Sequence, residues 1–161
     1  MQSLSPSQAL GIAVPRRPAV LCIKGPDGST DMILTTWFNW LTFKSHPMVA
    51  YSMDRSASLG LNLASGDELF LAFPPVKEAL QYQAGFRTAY TDQQKPLPQG
   101  IEPVSAEGVP VLIPARSEVL LRCTLQNAYN YPFRKVRIFN CVVNDCFAPC
   151  ELSDDSDETQ K

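Results

Sequence analysis

Histidine is nearly absent from this chain: one residue, His46, in 161. Catalytic triads built on His, and metal sites with several His ligands, are therefore not expected. Glycine is scarce too, at 8 residues, and none of it forms a phosphate-cradling loop of the Walker or dinucleotide type. His-Glu-x-x-His and Gly-x-Ser-x-Gly are also missing. Only 19% of residues are charged and the formal net charge is −2, which gives no general drive towards nucleic acid or anionic lipid. No apolar run approaches the ~20 residues of a membrane span. Ala9–Val14 is too short for the hydrophobic part of an export signal, and Pro15, Arg16 and Arg17 end it. The five cysteines are an odd number with no export signal, so reduced thiols in a cytoplasmic protein are the expectation.

What is present is enough for a core: 45% of the residues are hydrophobic. One domain over residues 1–150 is expected, followed by a disordered acidic tail over 151–161. That tail carries five acids and one lysine. Proline is frequent, 14 of 161 residues, against a usual share of about 5%. Such a chain breaks often, which argues against a bundle of long helices. Residues 1–15 read as an arm or short helix. Ala19–Ile23 is a short apolar strand. Gly25-Pro26-Asp27-Gly28 is a turn signal, and Thr30–Phe43, rich in Thr, Ile, Trp and Phe, completes a hairpin. Met48–Met53 and Glu68–Phe73 read as strands, with a short helix or turn over Asp54–Ser65 between them. Val76–Ala84 has helical spacing and Gly85 just after it.

Five prolines in residues 86–115 imply a wandering loop with short extended pieces. Val119, Leu121, Cys123 and Leu125 then alternate with Leu120, Arg122, Thr124 and Gln126, the period of a strand with one face in solvent. Asn127–Pro132 reads as a turn and Lys135–Phe147 as the last strand. Helices are missing between most strands, so parallel crossover units are excluded. The fold class expected is mainly β (α+β): an antiparallel barrel of about six strands with two short helices, closed because closure removes edge strands.

Cys141, Cys146 and Cys150 lie close together, but their spacing departs from zinc patterns. On a strand, the odd separation puts Cys141 and Cys146 on opposite faces. Buried or spectator thiols, and no metal, are the expectation. His46 precedes Pro47 and reads as a surface turn residue. One region stands out. Thr35-Thr36-Trp37-Phe38-Asn39-Trp40 places two Trp, one Phe and three hydrogen-bonding side chains in six residues. Ser52, Arg55, Ser56 and Ser58 follow. The first group suits a flat heteroaromatic ring; the second offers hydroxyls and a guanidinium to a phosphate dianion. A barrel core of packed aromatics beside a Ser-rich helix cap explains the same residues without a ligand.

A resemblance favours the ligand. Arg17–Gly28 resembles the opening of the flavin reductase-like family, the FMN-binding split barrels, and Met32–Asn39 resembles that family's second strand, where Ser/Thr and Trp/Phe border the flavin. His46–Met53 is similar to its Pro-led third strand. Arg55-Ser56-Ala57-Ser58 with Asn62-Leu63 is similar to its phosphate-binding segment, and Ser65–Pro74 to its Ser-Gly-led strand. The resemblance is clear over residues 17–75 and weaker to about residue 143. It implies a split barrel that forms a homodimer, with the flavin near the dimer interface.

The resemblance further implies FMN as cofactor and NAD(P)H as reductant. Thr35, Thr36, Trp37, Phe38, Asn39 and Ser52 would lie on the ring and ribityl side, with Arg55, Ser56 and Ser58 on the phosphate. A redox partner protein or a flavin-dependent oxygenase would be the partner; nucleic acid and membrane would not. The second half departs from the family. Ala84–Tyr90 stands where many members have Ser-Gly-x-Asp-x-Lys-Phe, and Lys135 stands where many have His. These departures bear on NAD(P)H more than on FMN. Three readings stay open: an NAD(P)H:FMN oxidoreductase, a flavoredoxin-like electron carrier, and a non-catalytic barrel with a degenerate flavin site.

Overall fold

The computed structural model describes residues 1–6, 8–9, 18–25, 28–35, 38–42, 46–54, 63–79, 101–131 and 136–148. Among these, the strands are β1 (Gln2–Ser3), β2 (Ala19–Lys24), β3 (Thr30–Thr35), β4 (Phe38–Thr42), β5 (Met48–Asp54), β6 (Glu68–Phe73), β7 (Pro103–Val104), β8 (Ile113–Pro114), β9 (Val119–Asn130) and β10 (Val136–Ala148). The main sheet runs β3-β2-β6-β9-β10-β5-β4, antiparallel throughout, with β1 added to β10 and a separate β7–β8 ladder. The first strand of this order meets the last but one where the Thr35 hydroxyl of β3 donates to the Ser52 carbonyl of β5 at 3.0 Å. The sheet thus curls into a mainly antiparallel β-barrel, in line with the expected fold class.

The interior is filled by alternate residues. Leu21, Phe38, Val49, Tyr51, Leu69, Leu71, Phe73, Leu121, Leu125 and Phe139 share one buried cluster. The β2–β3 hairpin closes as its turn chemistry requires: Gly28 sits at φ 83, a backbone region open to glycine, and the Gly28 N–H donates to the Gly25 carbonyl at 3.0 Å.

The stretch Thr30–Phe43, expected as one strand, is two. β3 pairs with β2, whereas β4 pairs with β5. The six residues of β2 give out at Ala19↔Thr35, so the chain must find a new neighbour, and Phe38 takes it opposite Tyr51. The expected turn at Asn127–Pro132 begins later. β9 continues to Asn130 because Arg137 of β10 pairs with it.

A second correction concerns the solvent face of β9. Leu120, expected among the polar positions, is fully buried. It belongs to a second apolar cluster with Val20, Cys22, Leu34, Phe70, Ala72 and Ile113, and Val104, Val109 and Leu112 pack on it. The outer face of β2, β3 and β6 is therefore covered by the Pro-rich 101–115 segment. The Leu112 N–H donates to Thr30 Oγ1 at 2.8 Å and ties that segment down. A loop that covers a sheet face turns a half-buried pattern into one buried on both sides.

The third correction is the parity of the cysteines. Cys141 and Cys146 both face the interior cluster. The register of β10 against β9 shifts between Val143 and Asp145, and an extra residue at such a bulge reverses which side the following residues face. The same shift sends Phe147 to the outer cluster.

The N-terminal arm is partly structured. Gln2 and Ser3 pair with Ala148 and Phe147. Ser5 and Gln8 then exchange bonds: the Gln8 N–H donates to Ser5 Oγ at 3.2 Å, and the Ser5 N–H to Gln8 Oε1 at 2.8 Å. This reciprocal pair is a capping box that opens a helical turn. Residues 76–79 are helical, and the Ala79 N–H donates to the Pro75 carbonyl at 2.9 Å. The remainder of the expected Val76–Ala84 helix, residues 55–62 and the 151–161 tail lie outside the described residues.

Candidate functional site

The seam between β3 and β5 gathers the described members of the candidate set. Thr35 is 2% exposed, and its hydroxyl proton is committed to the Ser52 carbonyl. Phe38 turns inward, its ring edge-on to Phe73 at 5.1 Å and to Trp40 at 6.1 Å. It therefore supports the seam from beneath. Asn39 and Ser52 face the other way. Their strand neighbours Phe38, Tyr51 and Met53 point into the core, and side chains alternate along a strand. Thr36, Trp37, Arg55, Ser56 and Ser58 lie outside the described residues.

Cross-strand register extends this outer face over four strands. One row runs Asn39, Ala50, Asn140 and Asn127; the next runs Ser52, Ile138 and Tyr129. Asn140 Nδ2 donates to Asn127 Oδ1 at 2.9 Å, which fixes both amides. Neither row contains a charged residue. A hydroxyl and several amides on a neutral, partly apolar face suit the polar edge and flat body of a heteroaromatic ring such as that of a flavin. The residues present thus fit the ring end of FMN.

Beneath the face lies an aromatic stack. Tyr51 and Phe139 are parallel, with centroids 4.9 Å apart and an interplanar angle of 7°. The Arg137 guanidinium lies 5.2 Å from the Phe139 centroid, within cation–π range. Burial pushes the Tyr51 phenol well above its ordinary value; Cys141 and Cys123 push the same way, and Arg137 opposes them. This group was hidden in the sequence, because no local spacing brings Tyr51, Arg137 and Phe139 together. The antiparallel pairing of β5 with β10 does so.

Among the described residues the cysteines offer no nucleophile. Cys22, Cys123, Cys141 and Cys146 are free and buried. Burial raises all four thiols, Cys141 to about 12 and Cys146 to about 11. A thiol held protonated at neutral pH is inert. Among the described residues, no group of three or more His, Cys, Asp or Glu is arranged to hold a metal ion. His46 is exposed, and Cys150 lies outside the described residues. Among the described residues no helix is long and apolar enough to cross a membrane.

No protein-family model matches the chain, and no curated protein matches it. Solved structures do. The FMN-binding domain of a flavin reductase-like enzyme from Shewanella baltica aligns at 17% identity over 92% of this chain and 76% of that one, with a TM-score of 0.68. The styrene monooxygenase flavin reductase of Pseudomonas putida aligns at 14% identity over 83% and 80%, with a TM-score of 0.64. Flavoredoxin of Methanosarcina acetivorans aligns at 12% identity over 83% and 68%, with a TM-score of 0.59. Strand order, seam and neighbours agree: the chain has the split-barrel fold of the flavin reductase-like FMN-binding proteins.

Proposed function

We propose that this chain is an FMN-binding flavoprotein acting as an NAD(P)H-dependent flavin oxidoreductase. The observation that carries the reading is the pair of uncharged cross-strand rows beside the Thr35–Ser52 seam, in a fold whose solved neighbours include named flavin reductases. Thr35, Thr36, Trp37, Asn39 and Ser52 hold the ring and ribityl side, with Phe38 buttressing them from the core. Arg55, Ser56 and Ser58 hold the phosphate, where charge-assisted bonds are worth about 1.5–3 kcal/mol each. Bound FMN supplies hydride acceptance and release. The chain's own part is to orient the ring, neutralise the phosphate and keep one face open.

Such a site needs no acid–base triad, which agrees with a chain that has one histidine. A homodimer and an oxygenase or other redox partner accompany the proposal. The four unpaired described thiols suit the reducing cytoplasm. The Ala84–Tyr90 departure favours a second reading, a flavoredoxin-like carrier that keeps its FMN and passes electrons between proteins.

Arg55→Ala is expected to weaken FMN binding about tenfold or more, since ~1.4 kcal/mol is tenfold. Unchanged affinity would overturn the phosphate assignment. Rapid anaerobic bleaching of the flavin-loaded protein by NADH or NADPH selects the reductase. Bleaching only by a reduced protein partner selects the carrier. A protein that takes up no FMN is the degenerate barrel.

A further inference from the structure

Tyr129 and Tyr131 are among the few large apolar side chains left exposed among the described residues, each at 48%. Tyr129 stands near the end of β9 and Tyr131 just beyond it, two residues apart and so on the same side. Across the β9–β10 ladder Tyr129 faces Ile138, and across the β10–β5 ladder Ile138 faces Ser52. Ile138 is half-buried and lies between them. Neighbouring strands are about 4.8 Å apart, so Ser52 and Tyr129 stand about 10 Å apart across that isoleucine. The row therefore has a hydroxyl at one end, an apolar floor and an aromatic ring at the other.

We propose that Tyr129 is a positioning residue for the flavin: its ring contacts the flat face or benzenoid end of the isoalloxazine, while Ser52 and Asn39 hold the polar edge. The inference rests on the FMN-binding reading above and adds a residue to it. Three observations converge on Tyr129 rather than on other aromatics. Tyr51, Phe38, Phe73 and Phe139 are buried in the barrel and cannot reach a ligand on the outer face. Tyr129 shares its cross-strand row with Ser52, whereas Tyr131 lies one row further, opposite Val136. The row through Tyr129 carries no charge, so a neutral ring meets no solvated ion there. Tyrosine is suited to the task, since it presents a large apolar ring with few rotatable bonds.

The test is fluorescence-monitored FMN titration of the wild type, Tyr129→Ala and Tyr129→Phe, with circular dichroism to confirm the fold. Aromatic stacking on a flat base is generally lost with a measurable affinity penalty on truncation to alanine. Tyr129→Ala is expected to bind FMN about tenfold more weakly and to leave the bound flavin more fluorescent, because the quenching ring is gone. Tyr129→Phe is expected to stay within about twofold of wild type in affinity. Wild-type affinity and quenching in Tyr129→Ala would overturn the inference and leave the FMN reading intact. Equal loss in Tyr129→Phe would also overturn it, by assigning the contact to the hydroxyl. Absence of FMN binding in the wild type itself would overturn both.

Discussion

Tyr51 offers a sharp test of the packing beneath the site. Its side chain is fully buried and lies flat on Phe139, yet its hydroxyl has no hydrogen-bond partner among the described residues. A buried polar group without a partner costs about 1–3 kcal/mol in lost hydration. Tyr51→Phe removes that cost and keeps the ring. The void left by the oxygen costs only a few tenths of a kcal/mol, at about 24 cal/mol per Å³. The variant should therefore be more stable by about 1 kcal/mol, a rise in Tm of roughly 2–4 °C for a chain of this size. Urea unfolding followed by circular dichroism would measure it. A loss of more than about 1 kcal/mol would refute the reasoning, because it would show that the hydroxyl makes a stabilising bond.

Two other tests address the seam and the thiols. Thr35→Val keeps the shape but removes the donor to the Ser52 carbonyl; a loss of about 1–2 kcal/mol is expected on chemical unfolding, and no loss would mean that this bond does not close the barrel. The thiols give a pH dependence. Burial raises Cys141 and Cys146 from an ordinary 9.0 to about 12 and about 11, so above pH 9 the unfolded chain releases protons that the folded chain keeps. Stability should be fully present below pH 9 and fall as pH climbs from there towards the folded values. Alkylation of the native protein at neutral pH should leave Cys22, Cys123, Cys141 and Cys146 unmodified; rapid labelling of any of them would contradict their burial.

Much of the barrel was legible because its strands are short, apolar and separated by clear breaks. Glu68–Phe73 has in the fold the bounds that its apolar run and Pro74-Pro75 mark in the sequence. What was not legible depended on partners distant in sequence. Thr30–Phe43 has continuous strand chemistry, and only the exhaustion of β2 at Ala19 divides it. Leu120 fits a polar-face position until the 101–115 segment covers it. Parity failed at Cys146 because a bulge leaves no mark in composition. The candidate residues follow the same rule. Thr35, Asn39 and Ser52 stand out in the sequence by their residue chemistry, whereas Tyr129 lies inside an expected turn and shares a row with Ser52 only through two ladders.

The most direct measurement is an equilibrium titration of the purified chain with FMN, run beside riboflavin, which has the same ring without the phosphate. The expected result is saturable binding of one FMN per chain, with riboflavin weaker by about tenfold or more, the equivalent of ~1.4 kcal/mol from the phosphate contacts. No saturable FMN binding would contradict the central claim.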